Sequence, residues 1–159
     1  MRIGLIADTH GLLRPEALTF LAGVDAIIHA GDVGRDQVLA GLRELAPVHA
    51  VRGNVDRTGA VGELPERLDL EFRGTRIVVT HVRPEPPGAT DADVVVFGHS
   101  HRPLIETSDG CLWVNPGSAG PRRFRRPVSL GRLDLDGGPA VATLRTLEAD
   151  VGGGRGKRE

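Results

Sequence analysis

Apolar runs alternate with amphipathic stretches over the first fifty residues. The apolar runs at residues 3–7, 26–30 and 48–53 predict three strands, and the first two lack polar alternation, as in strands buried on both faces. Residues 14–25 carry a proline in their first turn and a glycine near their end, which predicts a short helix. Residues 34–45 place apolar side chains at helical spacing. Strand and helix in alternation indicate a parallel α/β arrangement.

The pattern changes in the second half of the chain. Residues 67–81 predict two strands joined around Arg73, Gly74 and Thr75, and residues 93–97 predict another buried strand. Three more strands, mostly antiparallel, are expected within residues 111–118, 127–136 and 139–147. Eight or nine strands with two or three helices favour two packed sheets with helices outside over one open sheet. We expect one domain over residues 1–148, followed by a flexible, Gly-rich, charged tail over residues 149–159.

Composition narrows the function classes. A net charge of −1 and an aromatic content of 3% argue against a nucleic-acid surface built on basic patches or stacked rings. The single cysteine, Cys111, excludes an internal disulfide and a cysteine-based zinc site, and we expect it to be a core thiol. No apolar run reaches the roughly 20 residues of a membrane span. The first residues lack the pattern of a signal peptide, so a cytoplasmic protein that does not act on membranes is expected.

Polar residues able to bind a metal follow five predicted strands directly. They are Asp8 and His10, Asp32, Asn54, His81, and the pair His99 and His101. Strand ends in an α/β sheet converge on one edge, where ligands bind, so these seven side chains are expected to form a single set. Each motif alone is more typical of a turn, but five at successive strand ends favour a metal site.

The donor set predicts two ions rather than one. Four imidazoles, two carboxylates and one amide are too many for one ion, whereas two ions sharing a carboxylate take roughly four ligands each. Mixed nitrogen and oxygen donors without thiolate favour Mn, Fe, Ni or Zn, and Mn is the expected ion. The two cations outweigh the two carboxylates, so the site is expected to attract an anion such as phosphate.

The same residues, in the same order, resemble the calcineurin-like metallophosphoesterase superfamily. The segments ADTHG, HAGD, GNVD, GHSH and NPGS resemble its compact YfcE-type phosphodiesterase branch. The resemblance covers residues 1 to about 147 and implies an α/β fold, a four-layer α-β-β-α sandwich of two mixed sheets flanked by helices. It also implies a metal-dependent phosphodiesterase that hydrolyses small or activated diesters by attack of a hydroxide bound to two metals.

The resemblance implies a role for each residue. Asp8, His10 and His101 would hold the first metal, and Asn54, His81 and His99 the second. Asp32 would bridge the two, and Asn54 would also touch the phosphate. Asp32, Asn54 and His99 are therefore the expected catalytic residues. A homodimer or larger homo-oligomer is in keeping with the family.

Three departures from the family pattern bear on activity. Val55 replaces the histidine thought to protonate the leaving group in larger phosphomonoesterases, which favours diesters or activated esters over demanding monoesters. Val82 follows His81 where the family usually has glycine. The segment 82–92 is short and contains three prolines, so we expect an open site or one completed by a neighbouring subunit.

Other residues near the motifs have secondary expectations. His29 is expected to pack behind the site and orient a ligand. Arg122 is a candidate for binding a phosphate oxygen, and a solvated basic loop is the alternative. The turn Asn115 to Ser118 is expected to approach the site through its backbone amides. The role of Asp56 is open.

Two alternative functions remain at this point. A nuclease or cyclic-nucleotide phosphodiesterase uses the same chemistry, although the charge and the few aromatics weaken the nuclease. A non-catalytic protein-binding scaffold, of the type of the small retromer subunit that this branch also resembles, would be expected to lose ligands, whereas all seven are present.

Overall fold

Thirteen elements are present in the part of the chain that the structure describes. A computed structural model describes residues 1–84, 91–123 and 125–147. In chain order the elements are β1 (Arg2–Ile6), α1 (Pro15–Leu21), β2 (Ala26–His29), α2 (Asp36–Arg43), β3 (Val48–Ala50), α3 (Gly59–Gly62), β4 (Arg67–Phe72), β5 (Thr75–Thr80), β6 (Val94–Val96), β7 (Leu104–Ser108), β8 (Cys111–Asn115), β9 (Val128–Asp134) and β10 (Val141–Leu147).

The strands form two mixed five-stranded sheets. The first has the order β10-β9-β1-β2-β3, and the second has the order β4-β5-β6-β8-β7. β1, β2 and β3 run parallel to one another, while β9 and β10 add antiparallel pairs. β5, β6 and β8 are parallel, with β4 and β7 antiparallel at the two edges. The predicted α/β fold with two mixed sheets is confirmed.

Alternate residues of β1 divide between two cores. Ile3 and Leu5 face the second sheet and belong to the cluster between the sheets. Ile6 faces the helices, in a cluster that contains buried residues of all three. Helix α1 packs so closely on β1 that a Cβ at Gly4 would lie 2.4 Å from Leu21 Cδ2. Each fully buried Leu or Ile stabilises this packing by about 1.5–3 kcal/mol relative to an exposed one.

A third cluster lies on the outer face of the second sheet. It contains Val78, Val95, Phe97, Cys111 and Trp113. Cys111 is buried, as predicted, and burial raises the pKa of its thiol. Among the described residues no helix contributes to this cluster, so α1, α2 and α3 all pack on the first sheet.

The sequence did not predict β7. The described residues contain ten strands, so the expected eight or nine is wrong. The strand alternates poorly and is mostly exposed, because it is an edge strand that pairs only with β8 through the hairpin at Asp109 and Gly110. Burial on one side only leaves little hydrophobic signal in the sequence.

Some predictions fall outside the described residues. The tail at 149–159 lies there, as do residues 85–90 of the short segment and Phe124. Among the described residues, no helix has the length and apolar character required to cross a membrane. The cytoplasmic location stays a prediction.

Candidate metal centre

Five of the seven predicted ligands meet where strand ends of the two sheets come together, namely Asp8, His10, Asp32, His81 and His101. Asp8, His10 and Asp32 follow β1 and β2 of the first sheet, and the remaining three histidines of the set follow β5 and β6 of the second. The backbone amide of His99 donates to Asp8 Oδ2 over 3.1 Å and joins the sheets at this point. The site therefore lies between two sheets, whereas the strand-end argument from sequence placed it at the edge of one.

Backbone strain is concentrated at these residues. Seven non-glycine residues in the described part of the chain have a positive φ, and five of them are predicted ligands: Asp8, His10, Asp32, His99 and His101. The left-handed region is costly for residues with a Cβ and persists where surrounding contacts enforce it. The loops after the strands thus turn sharply enough to aim consecutive side chains into one pocket. Spacing alone carries no signal for this strain.

One group of donors contains Asp8, His10 and His101, whose ligand atoms lie within 4.8 Å of one another. The Nε2 atoms of the two histidines are 3.4 Å apart, and that of His101 is 3.5 Å from Asp8 Oδ1. Burial lowers the pKa of both imidazoles, that of His101 to about 4. Both rings are therefore held in the neutral form that binds a metal.

A second group contains Asp8, Asp32 and His81. His81 Nδ1 donates to the carbonyl of Ala30 over 2.8 Å, which in the neutral ring leaves a lone pair on Nε2. That atom lies 3.2 Å from Asp32 Oδ2 and 3.9 Å from Asp8 Oδ1, so acceptors face one another. Only a proton or a cation relieves this arrangement. Burial lowers the pKa of His81, but Asp32 and the Ala30 carbonyl outweigh burial and raise it overall.

Asp8 is the member common to both groups. Its side chain is fully buried, and burial raises the pKa of its carboxyl to about 7. Among the described residues, Asp8 Oδ1 and His81 Nε2 are buried polar atoms without a hydrogen-bond partner. A bound cation satisfies both atoms, and imidazole with carboxylate is the donor set of Mn, Fe, Ni or Zn. The residues present therefore fit divalent metal ions.

Asp32 belongs to the second group and also approaches His10 of the first. Its Oδ2 is 3.2 Å from His81 Nε2 and 3.8 Å from His10 Nε2. Burial raises the pKa of this carboxyl, but His81 and the amide of Val55 oppose it and lower the pKa to about 2. Val55 N–H donates to Asp32 Oδ1 over 3.1 Å, which fixes the carboxylate in place. The role of Asp32 as a bridging ligand stays a prediction.

Asn54 and His99 lie at the rim of the pocket. Both residues are exposed, and the ring of His99 packs edge-on against His81 with centroids 5.2 Å apart. Among the described histidines and carboxylates, His99 is not a member of the two donor groups. The assignment of Asn54 and His99 to the second metal stays a prediction.

Two buried residues that were not predicted as ligands hold the site loops together. Asp56 accepts hydrogen bonds from the amides of Val33, Gly34 and Gly53 at 2.9–3.0 Å. It thereby joins the loop of Asp32 to the loop that carries Asn54. From the sequence, Asp56 could equally have formed an ion pair with Arg57, so its role in joining the two loops could not be predicted.

His29 joins two of the ligand loops through a chain of hydrogen bonds. The amide of Gly31 donates to its Nδ1 over 3.2 Å, and Nε2 lies 2.9 Å from the hydroxyl of Thr9. That hydroxyl donates to the carbonyl of Val33 over 2.9 Å, so Nε2 must be the donor to Thr9. Burial lowers the pKa of His29 to about 3, in keeping with a neutral ring.

The turn after β8 also supports the site. Ser118 Oγ donates to the carbonyl of Asp8 over 3.0 Å, and the amide of Ala119 donates to the carbonyl of Ala7 over 3.1 Å. The sequence predicted an approach through the backbone amides of Asn115 to Ser118, whereas these contacts come from the hydroxyl of Ser118 and the amide of Ala119 and reach the backbone of the first ligand loop. Arg122 is exposed, and its role at the phosphate stays a prediction. The charge of the neighbouring Arg123 contributes to the lowered pKa of His10 and His101.

Comparisons with known proteins agree with this geometry. Residues 1–138 match a family model described as the calcineurin-like phosphoesterase superfamily domain. A probable metallophosphoesterase of Methanothermobacter thermautotrophicus is 36% identical over 95% of this chain and 95% of its own length. The solved structure of YfcE, a phosphoesterase from E. coli, has a TM-score of 0.67 and 28% identity over 84% of this chain and 88% of that one. Vps29 of Chaetomium thermophilum, at 20% identity and a TM-score of 0.75 over 92% and 97%, shows the shared fold alone.

Proposed function

The chain belongs to the calcineurin-like phosphoesterase superfamily, and from that premise we propose that it is a phosphodiesterase dependent on two divalent metals. Its substrates are small or activated phosphodiesters. The single observation that carries the proposal is the cluster centred on Asp8, in which the buried atoms Asp8 Oδ1 and His81 Nε2 lack a hydrogen-bond partner. Mn is the proposed ion, with Fe, Ni and Zn as alternatives.

Some residues of the chain would bind the metal ions, and others fix the orientation of those ligands. Asp8, His10 and His101 would hold one ion, Asn54, His81 and His99 would hold the other, and Asp32 would be shared by both. Bound divalent ions lower the pKa of a coordinated water and neutralise charge on a phosphate. His81 is fixed by Ala30 and Asp32 by the amide of Val55, so both keep their orientation before substrate arrives. Asn54 at the rim donates to a phosphate oxygen.

The identity of Val55 supports a diester or an activated ester. Its side chain is 49% exposed beside Asn54 and has no group able to donate a proton. An ester whose leaving group departs without protonation is therefore the better substrate. Small diesters also agree with the net charge of −1, which favours neither a nuclease nor binding to long nucleic acids.

The scaffold alternative has the fold likeness to Vps29 in its favour and makes a different prediction. A scaffold does not require metal or turnover. Purified protein is assayed for bound metal by inductively coupled plasma mass spectrometry and then for hydrolysis of bis-p-nitrophenyl phosphate with added Mn²⁺. We expect bound transition metal and Mn-dependent release of p-nitrophenol. Protein that takes up no metal and shows no turnover would support the scaffold.

A pair of variants tests the assignment of roles. Asp32→Asn keeps the shape of the side chain but removes the bridging charge, and it is expected to lower kcat by at least about 100-fold, because even residues behind metal ligands cost about 10–100-fold. Arg122→Ala, at an exposed position, is expected to raise KM by less than about tenfold. Equal and small effects of the two changes would contradict the proposed roles.

A further inference from the structure

Two cavities flank the metal centre and differ in chemistry. One, of about 420 Å³, is lined by the ligands Asn54 and His81 together with polar side chains. The other, of about 660 Å³, is lined by the ligand His99 together with Phe97, Pro103 and Leu104. Among the described residues, Val82 alone lines both cavities, and it is 52% exposed. Val82 therefore forms a wall between two spaces that both reach ligands assigned to the second metal.

The smaller cavity has a polar lining. Arg52 and Glu66 face each other there as an ion pair of 2.8 Å, and Thr80 adds a hydroxyl. Such groups suit a substituent that carries hydroxyl or charged groups.

The larger cavity has an apolar floor. Phe97 belongs to the cluster on the outer face of the second sheet, and Leu104 packs against that cluster. Ser100 and the exposed Arg102 add polar groups at the margin of this lining.

Arg83 also lines the cavity, but its guanidinium pairs with Glu106 over 3.0 Å and lies over the rings of Phe97 and Trp113. Its charge is thus already matched, and its side chain adds to the covering of the aromatic rings. This lining suits an apolar group.

Exposed apolar residues also occur close in sequence to the predicted ligands. Of the five large hydrophobic residues exposed in the described ranges, Leu12, Val55 and Val82 each lie within two positions of a predicted ligand. Single exposed apolar residues are ordinary on a protein surface, but Val82 also lines both cavities, where it is placed to contact an apolar group.

We propose that the larger cavity binds the apolar substituent of an unsymmetrical phosphodiester, while the other substituent lies in the polar cavity on the far side of Val82. A phosphodiester carries two substituents on one phosphorus, and two unlike cavities that meet at one metal centre accommodate two unlike substituents. This inference rests on the proposed phosphodiesterase function and names the class of substrate. A soluble diester with an alkyl or aryl arm of about six carbons is small enough to enter a cavity of about 660 Å³.

Non-reactive dialkyl phosphates test the inference by direct binding. Isothermal titration calorimetry with the Mn-loaded protein compares dimethyl phosphate, methyl hexyl phosphate and methyl glyceryl phosphate, whose poor leaving groups prevent turnover during the titration. We expect methyl hexyl phosphate to bind at least about tenfold more tightly than dimethyl phosphate, with a more negative heat-capacity change, because five added methylene groups become partly buried. Equal affinities for these two compounds would overturn the proposal.

Two neighbouring residues of β7 supply the variant and its control. Leu104 lines the cavity, whereas Ile105 is 43% exposed and does not line it. Leu104→Ser is expected to remove most of the preference for the hexyl compound and to leave the affinity for dimethyl phosphate within about twofold. Ile105→Ser is expected to keep the full preference, and circular dichroism melting of both variants verifies the fold. An equal loss of preference in both variants would contradict the assignment of the cavity.

The outcomes separate this inference from the proposed function. Turnover of bis-p-nitrophenyl phosphate without a preference for the hexyl arm would refute the cavity assignment and leave the phosphodiesterase standing. A hexyl preference that depends on Leu104, in a protein that hydrolyses no diester, would support the cavity and refute the hydrolytic function.

Discussion

At the scale of single residues, Asp56 contributes more than its position suggests. One buried carboxylate accepts three backbone amides from two loops. A hydrogen bond to a charged group contributes about 1.5–3 kcal/mol, and the three amides lose their common partner when the carboxylate is removed. The loops that carry Asp32 and Asn54 therefore depend on it.

Asp56→Ala is expected to lower the free energy of unfolding by at least about 3 kcal/mol. The measurement is urea denaturation of the metal-free protein followed by circular dichroism. Asp136→Ala, which removes a largely exposed carboxylate at the opposite end of the molecule, is the control and is expected to change stability by less than about 0.5 kcal/mol. A loss for Asp56→Ala as small as that of the control would show that the loops hold together without this side chain.

His29 gives the metal-free protein a dependence on pH with a definite sign. Its pKa falls from 6.5 to about 3 on folding, because the ring is buried. Between these values the unfolded state binds one proton more than the folded state, so stability decreases as pH falls through that window. Replacement by asparagine removes the titrating group.

We therefore expect the slope of unfolding free energy against pH, between pH 4 and 6, to be smaller in His29→Asn than in the unchanged protein. The difference is at most about 1.4 kcal/mol per pH unit, the value for one proton. Guanidinium denaturation at several pH values measures it. Parallel slopes would mean that His29 carries the same charge in both states.

At the scale of elements, the turn after β8 holds the first ligand loop. Ser118 Oγ donates to the carbonyl of Asp8, and Gly120 approaches so closely that a Cβ there would lie 2.4 Å from the same oxygen. The motif NPGS is thus a support for the loop of Asp8 and His10. The small residues in this turn are explained by that close approach.

Ser118→Ala is expected to weaken binding of Mn²⁺ by about tenfold, as for other residues that orient a metal ligand, and to cost about 1 kcal/mol of stability. Titration with Mn²⁺ followed by electron paramagnetic resonance measures the affinity. Ser108→Ala, at the opposite end of the same sheet, is the matched control. Unchanged affinity in Ser118→Ala would restrict the turn to a role in folding.

The elements also show how far sequence patterns reach. Buried strands such as β1 and β2 could be predicted because both faces are apolar, and the ligands could be predicted because they follow those strands directly. β7 could not, because an exposed edge strand has little apolar signal. The sequence also could not predict the hydrogen bonds of Asp56 or the positive φ of Asp8 and His99, since these arise from contacts between distant loops.

At the scale of the whole molecule, the metal centre is the junction of two sheets. Asp8 follows the first sheet and accepts the amide of His99, which follows the second. The carboxyl of Asp8 has its pKa raised to about 7 by burial, so the folded metal-free protein binds a proton there that the unfolded chain releases above pH 4. The contribution of this carboxyl to the stability of the metal-free protein therefore declines as pH rises from about 4 to 7. Above pH 7 the full cost of a buried charge is present.

Asp8→Asn separates stability from metal binding. At pH 8 the variant is expected to have a higher Tm than the unchanged protein when both are metal-free, because it removes the buried charge. Added Mn²⁺ is expected to raise the Tm of the unchanged protein and to leave that of Asp8→Asn nearly constant, because a ligand stabilises only the state that binds it. Differential scanning fluorimetry with EDTA or Mn²⁺ measures both, and Asp69→Asn, at an exposed ion pair, is expected to respond to Mn²⁺ like the unchanged protein. If Asp8→Asn lowered the metal-free Tm and still responded to Mn²⁺, Asp8 would be a structural residue and the cations would bind elsewhere.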